Sequence, residues 1–292
     1  MSRTGQRGSI ALERAAILAH HSWPGNQFVL RLHAQASAAR AQPGMFVHLQ
    51  CSDDIPMRRP LSIMRTDPAG WIEVLYKPLG AGLAALSQRQ AGETLSVLGP
   101  IGNGFEISAG IRHVLALGGG VGIPPMIFAA QRLRERESVT VTVFMGSEVP
   151  FPFQLSAAKI PAAGVDATGK SAAALLDSWG VACVLASRAG LPGAHVGTVT
   201  QLAEQTLAAL NEKERGSTVL LACGPEPMLA AAARLAQTFA VPCQLALEEY
   251  MACGVGGCAG CAVAVHTNEG VKMQRVCVDG PVFDAAAIYP PV

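Results

Sequence analysis

The stretch HVLALGGGVGIPPMIFAAQRLRER, residues 113–136, predicts the fold of the centre of this chain. An apolar segment of strand character runs into a glycine-rich turn, and a helix follows the turn. Strands and helices continue to alternate as far as about residue 240, which indicates a parallel α/β sheet. Further strands are predicted at 139–147, 182–188 and 217–225, and further helices at 171–180, 198–214 and 226–240.

Upstream of this unit the sequence has a different texture. Short strand-like segments follow one another between glycines and prolines, and no long helical period separates them; they are FVLRLHA (28–34), MFVHLQC (45–51), WIEVLYK (71–77) and TLSVLGP (94–100). Such spacing indicates an antiparallel β-barrel or sandwich. We therefore expect a multidomain chain: an antiparallel β-barrel at 1–108, an α/β parallel-sheet nucleotide-binding domain at 109–241 and a small C-terminal domain at 242–292.

Four of the eight cysteines cluster within 25 residues of that C-terminal segment, as Cys253, Cys258, Cys261 and Cys277, with the spacing C-x4-C-x2-C-x15-C. The first three intervals match the plant-type [2Fe–2S] pattern. The intervening glycines, Gly254, Gly256, Gly257 and Gly260, let a backbone turn tightly around a cluster and bring N–H groups to its sulfurs. A four-cysteine zinc site is the alternative, although zinc motifs usually pair two C-x2-4-C units.

The remaining composition excludes several classes of protein. The formal net charge is +1 and no basic tail occurs, so neither a nucleic-acid groove nor a polybasic membrane patch is indicated. No apolar run reaches the length of about 18 that spans a bilayer, and no signal peptide is evident, so we expect a cytoplasmic protein. The scattered Cys51, Cys183, Cys223 and Cys243 have apolar neighbours and are predicted to be buried thiols.

Two glycine-containing turns are candidates for nucleotide binding. One contains Gly118, Gly119, Gly120 and Gly122, between a predicted strand and helix. Glycines there admit the backbone to a pyrophosphate, and the helix N-terminus favours its charge, although a turn without a ligand would look the same. The other contains Cys223, Gly224, Pro225 and Glu226 and is expected at the same carboxyl edge of the sheet.

A third candidate lies in the barrel, where Arg59-Pro60-Leu61-Ser62 begins a predicted strand. A guanidinium and a hydroxyl together suit a phosphate, whereas the alternative is an ordinary Arg-Pro turn at the surface. The segments LYKPLGAGL (75–83) and VLGPIGNGF (97–105) support the phosphate interpretation.

A barrel followed by an α/β unit, with these motifs, resembles the ferredoxin reductase-like flavoproteins. More narrowly, RPLSI, LYK, GPIGNGF, MACGVGGCAGC and VCVDGPVF together resemble the electron-transfer subunit of NAD-dependent (class 1B) dihydroorotate dehydrogenase. The resemblance covers about residues 10–283, and the cysteine motif is its most specific part.

The resemblance implies a set of FAD contacts. Arg59, Pro60, Leu61 and Ser62 would bind FAD, Leu75, Tyr76 and Lys77 would line the flavin, and Gly82 and Leu83 would contact its phosphates through their backbone. The family usually has threonine where this chain has Leu83, so one hydroxyl contact to a phosphate is lost.

A second departure concerns the nicotinamide nucleotide. Ser187-Arg188 follows a predicted strand and is similar to the pair that NADP-dependent reductases place on the 2′-phosphate. NAD is our first expectation, and NADP stays open.

The resemblance also implies a function. The chain would be an oxidoreductase subunit of pyrimidine biosynthesis that passes electrons from an FMN-containing dihydroorotate dehydrogenase subunit, through [2Fe–2S] and FAD, to NAD+, within a heterotetramer. No acid–base catalytic residue is expected, because the cofactors carry the chemistry. An apolar patch around Met251, Val255 and Val265 is predicted to meet the partner.

Other functions are compatible with parts of the pattern. An NADP-linked ferredoxin-type or sulfide-dehydrogenase-type reductase subunit would have the same architecture, and Arg188 favours it. An oxygenase reductase is disfavoured, since the tail after Val241 is short for a complete ferredoxin domain. A non-enzymatic binding module with zinc is the alternative from a different class.

Overall fold

The computed structural model describes residues 10–291, which form two compact units. The first unit comprises the residues up to Gly104 together with Leu247–Val282, and the second comprises Phe105–Ala246 together with the residues from Phe283 onward. The division into three domains, with boundaries at 108 and 241, was expected from the sequence pattern and stays a prediction.

The N-terminal part of the first unit is a closed antiparallel barrel with the strand order β1-β2-β5-β4-β3-β6. Its strands are β1 (Ala11–Trp23), β2 (Gln27–His33), β3 (Phe46–Gln50), β4 (Arg59–Asp67), β5 (Trp71–Tyr76) and β6 (Thr94–Ile101). Leu30, Leu32, Val47, Leu49 and Ile63 are fully buried and fill the barrel interior. The predicted barrel is confirmed, and each of the four quoted segments contains a strand.

Two features of the barrel were not predicted from the sequence. Strand β1 carries many polar residues and pairs with both β2 and β6, so that it closes the barrel. Helices α1 (Gln35–Arg40) and α2 (Gly80–Leu86) have six and seven residues and are too short to produce a recognisable helical period.

The second unit is built on a seven-stranded sheet of order β12-β11-β8-β7-β13-β14-β17. The strands are β7 (His113–Gly119), β8 (Thr140–Gly146), β11 (Ala182–Ser187), β12 (His195–Val196), β13 (Thr218–Cys223), β14 (Cys243–Ala246) and β17 (Val282–Asp284). The pairings from β12 to β14 are parallel. The predicted α/β sheet is therefore confirmed.

The helices that accompany this sheet are α3 (Ile123–Leu133), α4 (Ala174–Ser178), α5 (Val199–Ala209), α6 (Glu212–Gly216), α7 (Glu226–Phe239) and α8 (Ala285–Ile288). Strands β9 (Leu155–Ala157) and β10 (Ser171–Ala173) form a small hairpin. Strand β10 occupies the first residues of the helix that was expected at 171–180. The helix expected at 198–214 is divided at Leu210, because Asn211 caps α6 reciprocally with Glu214.

The cysteine-rich segment folds as a loop followed by the hairpin of β15 (Ala262–Thr267) and β16 (Gly270–Arg275). It is joined to the end of β6 within the first unit. Asn103 donates its side-chain amide to the carbonyls of Val278 and Asp279, at 3.3 and 3.1 Å, and its backbone N–H to Gly280 at 2.7 Å. At neighbouring Gly102, a Cβ atom would lie only 2.3 Å from Cδ of Pro281. The two motifs GPIGNGF and VCVDGPVF are thus in direct contact.

Within residues 10–291, no helix is long and apolar enough to cross a bilayer. Cys51, Cys183, Cys223 and Cys243 are all buried, which confirms their prediction as core thiols.

Substituting Asn103 by alanine tests the junction between barrel and cysteine segment. The change leaves two carbonyls without their amide donor at a position that is 8% exposed. We expect the free energy of unfolding to fall by about 1–3 kcal/mol, measured by urea denaturation. Asn268→Ala, on the exposed turn of the β15–β16 hairpin, is the matched control. Equal stabilities for the two variants would contradict the role given to Asn103.

Candidate functional site

The four clustered cysteines differ strongly in exposure. Cys258 is exposed and Cys253 is half-buried, whereas Cys261 and Cys277 are buried and their sulfur atoms lie 3.3 Å apart. The N–H of Gly260 donates to Cys258 Sγ at 3.5 Å. The loop therefore holds two thiols inside the fold and turns another outward.

The thiols at the two ends of the motif have opposite electrostatic environments. Burial acts to raise the pKa of Cys253, but hydrogen bonds from the N–H groups of Val255, Cys258 and Gly257 and from the Cys258 thiol bring it down to about 6. Burial, and next the hydrogen bond between its thiol and Cys261, raise the pKa of Cys277 to about 12. A backbone that donates to sulfur stabilises thiolates, which are the form that binds iron.

Glycines and one arginine shape the loop. Gly254 and Gly256 have φ of +68° and +77°, in the left-handed region that glycine adopts without strain. Arg275 donates to the carbonyl of Gly256 at 3.0 Å and forms an ion pair with Asp279. Arg275 was not selected from the sequence, because its two partners lie on opposite sides of the motif.

Backbone N–H groups surround two of the four clustered thiols. Within residues 10–291, no three Cys, His, Asp or Glu side chains gather in a way that would hold a single metal ion. The thiols instead line a loop and the strand end beside it, and N–H donors face the sulfurs of Cys253 and Cys258. Thiolates surrounded by backbone donors are typical of iron–sulfur sites.

The barrel brings two of the proposed phosphate-binding residues together. Arg59 begins β4, and its guanidinium lies beside Gly82 in α2, where an added Cβ would be 2.9 Å from Arg59 Nε. Arg59 also donates to the carbonyls of Met57 and Arg58, at 3.0 and 3.1 Å. Leu83 follows Gly82 in the first turn of the same short helix. Arg59 and Gly82 thus place a guanidinium beside backbone that no side chain covers, an arrangement that suits a pyrophosphate.

The other residues proposed for the flavin differ in exposure. Pro60 and Ser62 are partly exposed, whereas Leu61 is buried in the core. The side chains of Leu75 and Tyr76 are also buried. Any contact from these three buried residues to a bound molecule therefore involves their backbone.

Tyr76 belongs to an aromatic group beneath the barrel surface. Its hydroxyl is hydrogen-bonded to Nε2 of His20 at 2.9 Å, and its ring stacks on Phe28 with centroids 5.5 Å apart. Burial is the main cause that raises its pKa far above the ordinary value. Lys77 follows directly and is half-buried.

In the second unit, the two predicted nucleotide turns lie side by side. Gly118 pairs with Cys223 across the sheet. A Cβ on Gly122 would be 2.3 Å from the carbonyl oxygen of Cys223, and one on Gly119 would be 2.8 Å from Met228. Gly120 has φ of +56° and opens the single 3-10 turn before α3.

Pro225 and Glu226 follow Gly224 at the start of α7, with Glu226 exposed in the first helical turn. At this edge of the sheet the glycines therefore let the backbones of the two turns approach more closely than residues with a Cβ atom would allow.

Ser187 is the last residue of β11, and Arg188 follows it at the same edge of the sheet. Ser187 is buried, and its hydroxyl accepts the N–H of Ala189 at 3.2 Å. Arg188 is exposed and forms an ion pair with Glu148 at 3.1 Å. The hydrogen bond from Arg188 is the main cause that lowers the pKa of the Glu148 carboxyl. Glu148 follows the neighbouring strand β8, and sequence reasoning missed it.

A buried histidine connects the barrel with the cysteine loop. His48 on β3 is 0% exposed and pairs across the ladder with Pro60. A Cβ on Gly254 would lie 2.7 Å from its Nδ1. Burial, and next the charge of Arg58, lower the pKa of His48 to about 4.

The apolar patch expected around Met251, Val255 and Val265 needs a correction. Val265 is only 4% exposed, because this position of β15 faces inward, and the prediction is wrong for it. Val255 is 42% exposed, and Met251 is half-buried. The cysteine segment has three further exposed large apolar side chains, Tyr250, Val271 and Met273.

Residues 248–289 match the model of the iron–sulfur cluster binding domain of dihydroorotate dehydrogenase B. Among curated proteins, the dihydroorotate dehydrogenase B (NAD(+)) electron transfer subunit of Bacillus caldolyticus is 35% identical over 96% of this chain and 99% of its own length. That of Enterococcus faecalis is 32% identical over 94% and 97%.

Solved structures agree with this fold. A chain in the structure of NADH-dependent reduced ferredoxin–NADP oxidoreductase has a TM-score of 0.74 and 25% identity, covering 94% of this chain and 90% of its own. The ferredoxin reductase of carbazole 1,9a-dioxygenase, at TM-score 0.60 and 22% identity, covers 80% of this chain and 67% of its own and has the same fold. At 35% identity to the Bacillus caldolyticus protein, and over nearly the whole length of both chains, this chain belongs to the family of electron transfer subunits of dihydroorotate dehydrogenase B (NAD(+)).

Proposed function

We propose that this chain carries a [2Fe–2S] cluster and FAD and passes electrons from a partner dihydroorotate dehydrogenase subunit to NAD+. One observation carries the proposal: residues 248–289 match the iron–sulfur domain of dihydroorotate dehydrogenase B, and Asn103 of the barrel unit is hydrogen-bonded to this segment. In such a chain the cluster would transfer one electron at a time. FAD would collect two of these electrons and pass them to the nicotinamide as a hydride.

Cys253, Cys258, Cys261 and Cys277 would hold the cluster. The N–H groups that lower the pKa of Cys253 already point to sulfur, so the chain provides hydrogen bonds that help to set the reduction potential. The exposed Cys258 marks the side of the loop that is open to electron entry from a partner.

FAD would be held mainly by the barrel. Arg59 and the backbone of Gly82 and Leu83 would bind its pyrophosphate, and Ser62 would add a hydroxyl donor. Pro60 and Lys77 and the backbone of the buried residues Leu61, Leu75 and Tyr76 would line the flavin. No side chain here is assigned a proton transfer.

NAD would bind along the carboxyl edge of the parallel sheet. Gly118, Gly119, Gly120 and Gly122 would admit its pyrophosphate, and Cys223, Gly224, Pro225 and Glu226 would border the nicotinamide half. Ser187 and Arg188 would lie at the adenosine ribose. Because Glu148 already neutralises Arg188 and adds a carboxylate, the pair favours a ribose hydroxyl over a 2′-phosphate dianion.

The partner would be an FMN-containing dihydroorotate dehydrogenase subunit, in a heterotetramer of the cytoplasm that serves pyrimidine biosynthesis. Tyr250, Val255, Val271 and Met273 are the exposed apolar side chains around the cluster loop and its hairpin. Such a patch suits an obligate interface, which typically buries about 2,000 Å² or more in total.

A second candidate is an NADP-linked reductase subunit of ferredoxin or sulfide-dehydrogenase type. Arg188 favours it, and the similar chain of known structure comes from a ferredoxin–NADP oxidoreductase. The choice of nucleotide and the identity of the co-purifying subunit separate the two functions. A zinc-bearing binding module is disfavoured by the match to an iron–sulfur domain.

Substituting Cys258 by serine tests the cluster. A hydroxyl is a poor iron ligand at neutral pH, so we expect anaerobically purified Cys258→Ser protein to lose nearly all its iron and acid-labile sulfide. Cys183→Ser, which changes a buried core thiol of the other unit, is the control and should retain both. A Cys258→Ser protein with wild-type iron content, or a wild-type protein containing zinc and no iron, would contradict the proposal.

Substituting Gly82 by alanine tests the FAD site. The new Cβ would lie 2.9 Å from Arg59 Nε and push the guanidinium away. We expect the Kd for FAD, measured by flavin fluorescence on the deflavinated protein, to rise about tenfold, which equals about 1.4 kcal/mol. Gly110→Ala, where a Cβ meets nothing within 4 Å, should leave the affinity unchanged. Equal affinities for the two variants would remove Gly82 from the site.

Substituting Glu148 by glutamine tests the choice of nucleotide. The change removes the carboxylate and frees Arg188, so we expect the ratio of the NADP+ Kd to the NAD+ Kd to fall at least about tenfold. Calorimetric titration of both nucleotides measures it, and Glu137→Gln on an exposed loop is the control. The additional substitution Arg188→Gln should abolish the gain, whereas an unchanged ratio in Glu148→Gln would place the ribose elsewhere.

A further inference from the structure

His48 lies where the flavin-binding strand and the cysteine loop meet. Its neighbour across the β3–β4 ladder is Pro60, within the segment assigned to FAD, and its backbone carbonyl accepts from Arg58 at 3.2 Å. On its other side is Gly254, the residue after Cys253. His48 therefore meets the flavin-binding strand through its backbone and the cysteine loop through its side chain, within a single unit.

The fit between His48 and the loop is tight. Gly254 has φ of +68°, and a Cβ there would be 2.7 Å from Nδ1 and 3.4 Å from two ring carbons of His48. The absence of a side chain at Gly254 lets the ring lie directly against the loop backbone. The carbonyl of Cys253 also lies near the ring.

A buried imidazole at this position would lower the stability of the fold if packing were its only role. His48 is fully buried, and neither ring nitrogen has a hydrogen bond of good geometry among the described residues. Burying a polar group without a partner is unfavourable, whereas leucine or phenylalanine would fill the space without that cost. A buried polar ring with unmet donors and acceptors therefore indicates a role that depends on its nitrogens.

We propose that His48 is a positioning residue, which holds the Cys253–Gly254 backbone against the flavin-binding strand and so fixes the cluster relative to FAD. The ring has one N–H donor for the loop carbonyl when it is neutral. This inference rests on the proposed cofactors and adds a residue that the cysteine and phosphate motifs do not contain. Since electron tunnelling falls steeply with distance, a small movement of the loop would slow the exchange between the two cofactors.

The test uses the holoprotein co-expressed with its partner, in the variants His48→Leu, His48→Gln and Gly254→Ala. Three readouts are needed: iron and FAD per chain, the electron paramagnetic resonance spectrum of the reduced cluster, and the rate of electron exchange between FAD and cluster by rapid freezing. His48→Leu should retain both cofactors, broaden or shift the cluster spectrum and slow the exchange at least about tenfold. Glutamine keeps an N–H donor and should restore most of the rate.

Gly254→Ala leaves His48 in place but forces the loop away from it, and should reproduce the spectral change of His48→Leu. The control is His266→Gln, which changes an exposed histidine of the β15–β16 hairpin and should match the wild type.

The inference is overturned if His48→Leu with both cofactors shows the wild-type spectrum and rate. If His48→Leu does not fold, a wild-type spectrum in Gly254→Ala overturns it equally. A wild-type protein without iron or FAD would instead contradict the proposed function itself.

Discussion

The hydrogen bonds that tie the cysteine segment to the end of strand β6 are the constraint on which the proposed electron path depends. Asn103 satisfies backbone groups of the VDGP turn, and Gly102 lets Pro281 approach as no other residue would. The cysteine loop is thereby part of the same compact unit as the barrel. Without this junction the cysteine segment would lose these contacts with the barrel unit, and the distance from cluster to flavin would be less constrained.

Around the cysteine loop and in the barrel, positively polarised groups lie where negative charge is expected. Cys253 has backbone donors, and Arg275 joins the carbonyl of Gly256 to the carboxylate of Asp279. In the barrel, Arg59 presents its charge beside the bare backbone of Gly82. In each place a glycine removes the side chain that would block approach, and an arginine or an N–H group meets negative charge. The same combination thus occurs at both sites.

Much of the fold could be predicted because its signals are local. Strands bounded by glycine and proline, and helices with a clear period, were found where they lie, and the cysteine spacing identified the cluster segment. Strand β1 was missed because its polar residues hide the alternation, and the helix at 198–214 was not divided although Asn211 and Glu214 form a capping box. A strand's inward face depends on register, which explains the error at Val265.

The site residues that sequence reasoning missed all depend on contacts between distant parts of the chain. His48 meets Gly254, Asn103 meets Val278, and Glu148 meets Arg188. No spacing rule connects such pairs, so only the folded chain identifies them. His48 and Glu148 lie outside the motifs and support them, whereas Asn103 lies within GPIGNGF.

The most direct test of this account is to follow the cluster when electrons leave for the nicotinamide. The purified complex is reduced anaerobically, freed of excess reductant and mixed with NAD+, while the paramagnetic signal of the reduced cluster and the formation of NADH are recorded. The account predicts that the cluster signal disappears as NADH forms. NADH formation that leaves the cluster signal intact would show that the cysteine segment lies outside the electron path, and would contradict the account.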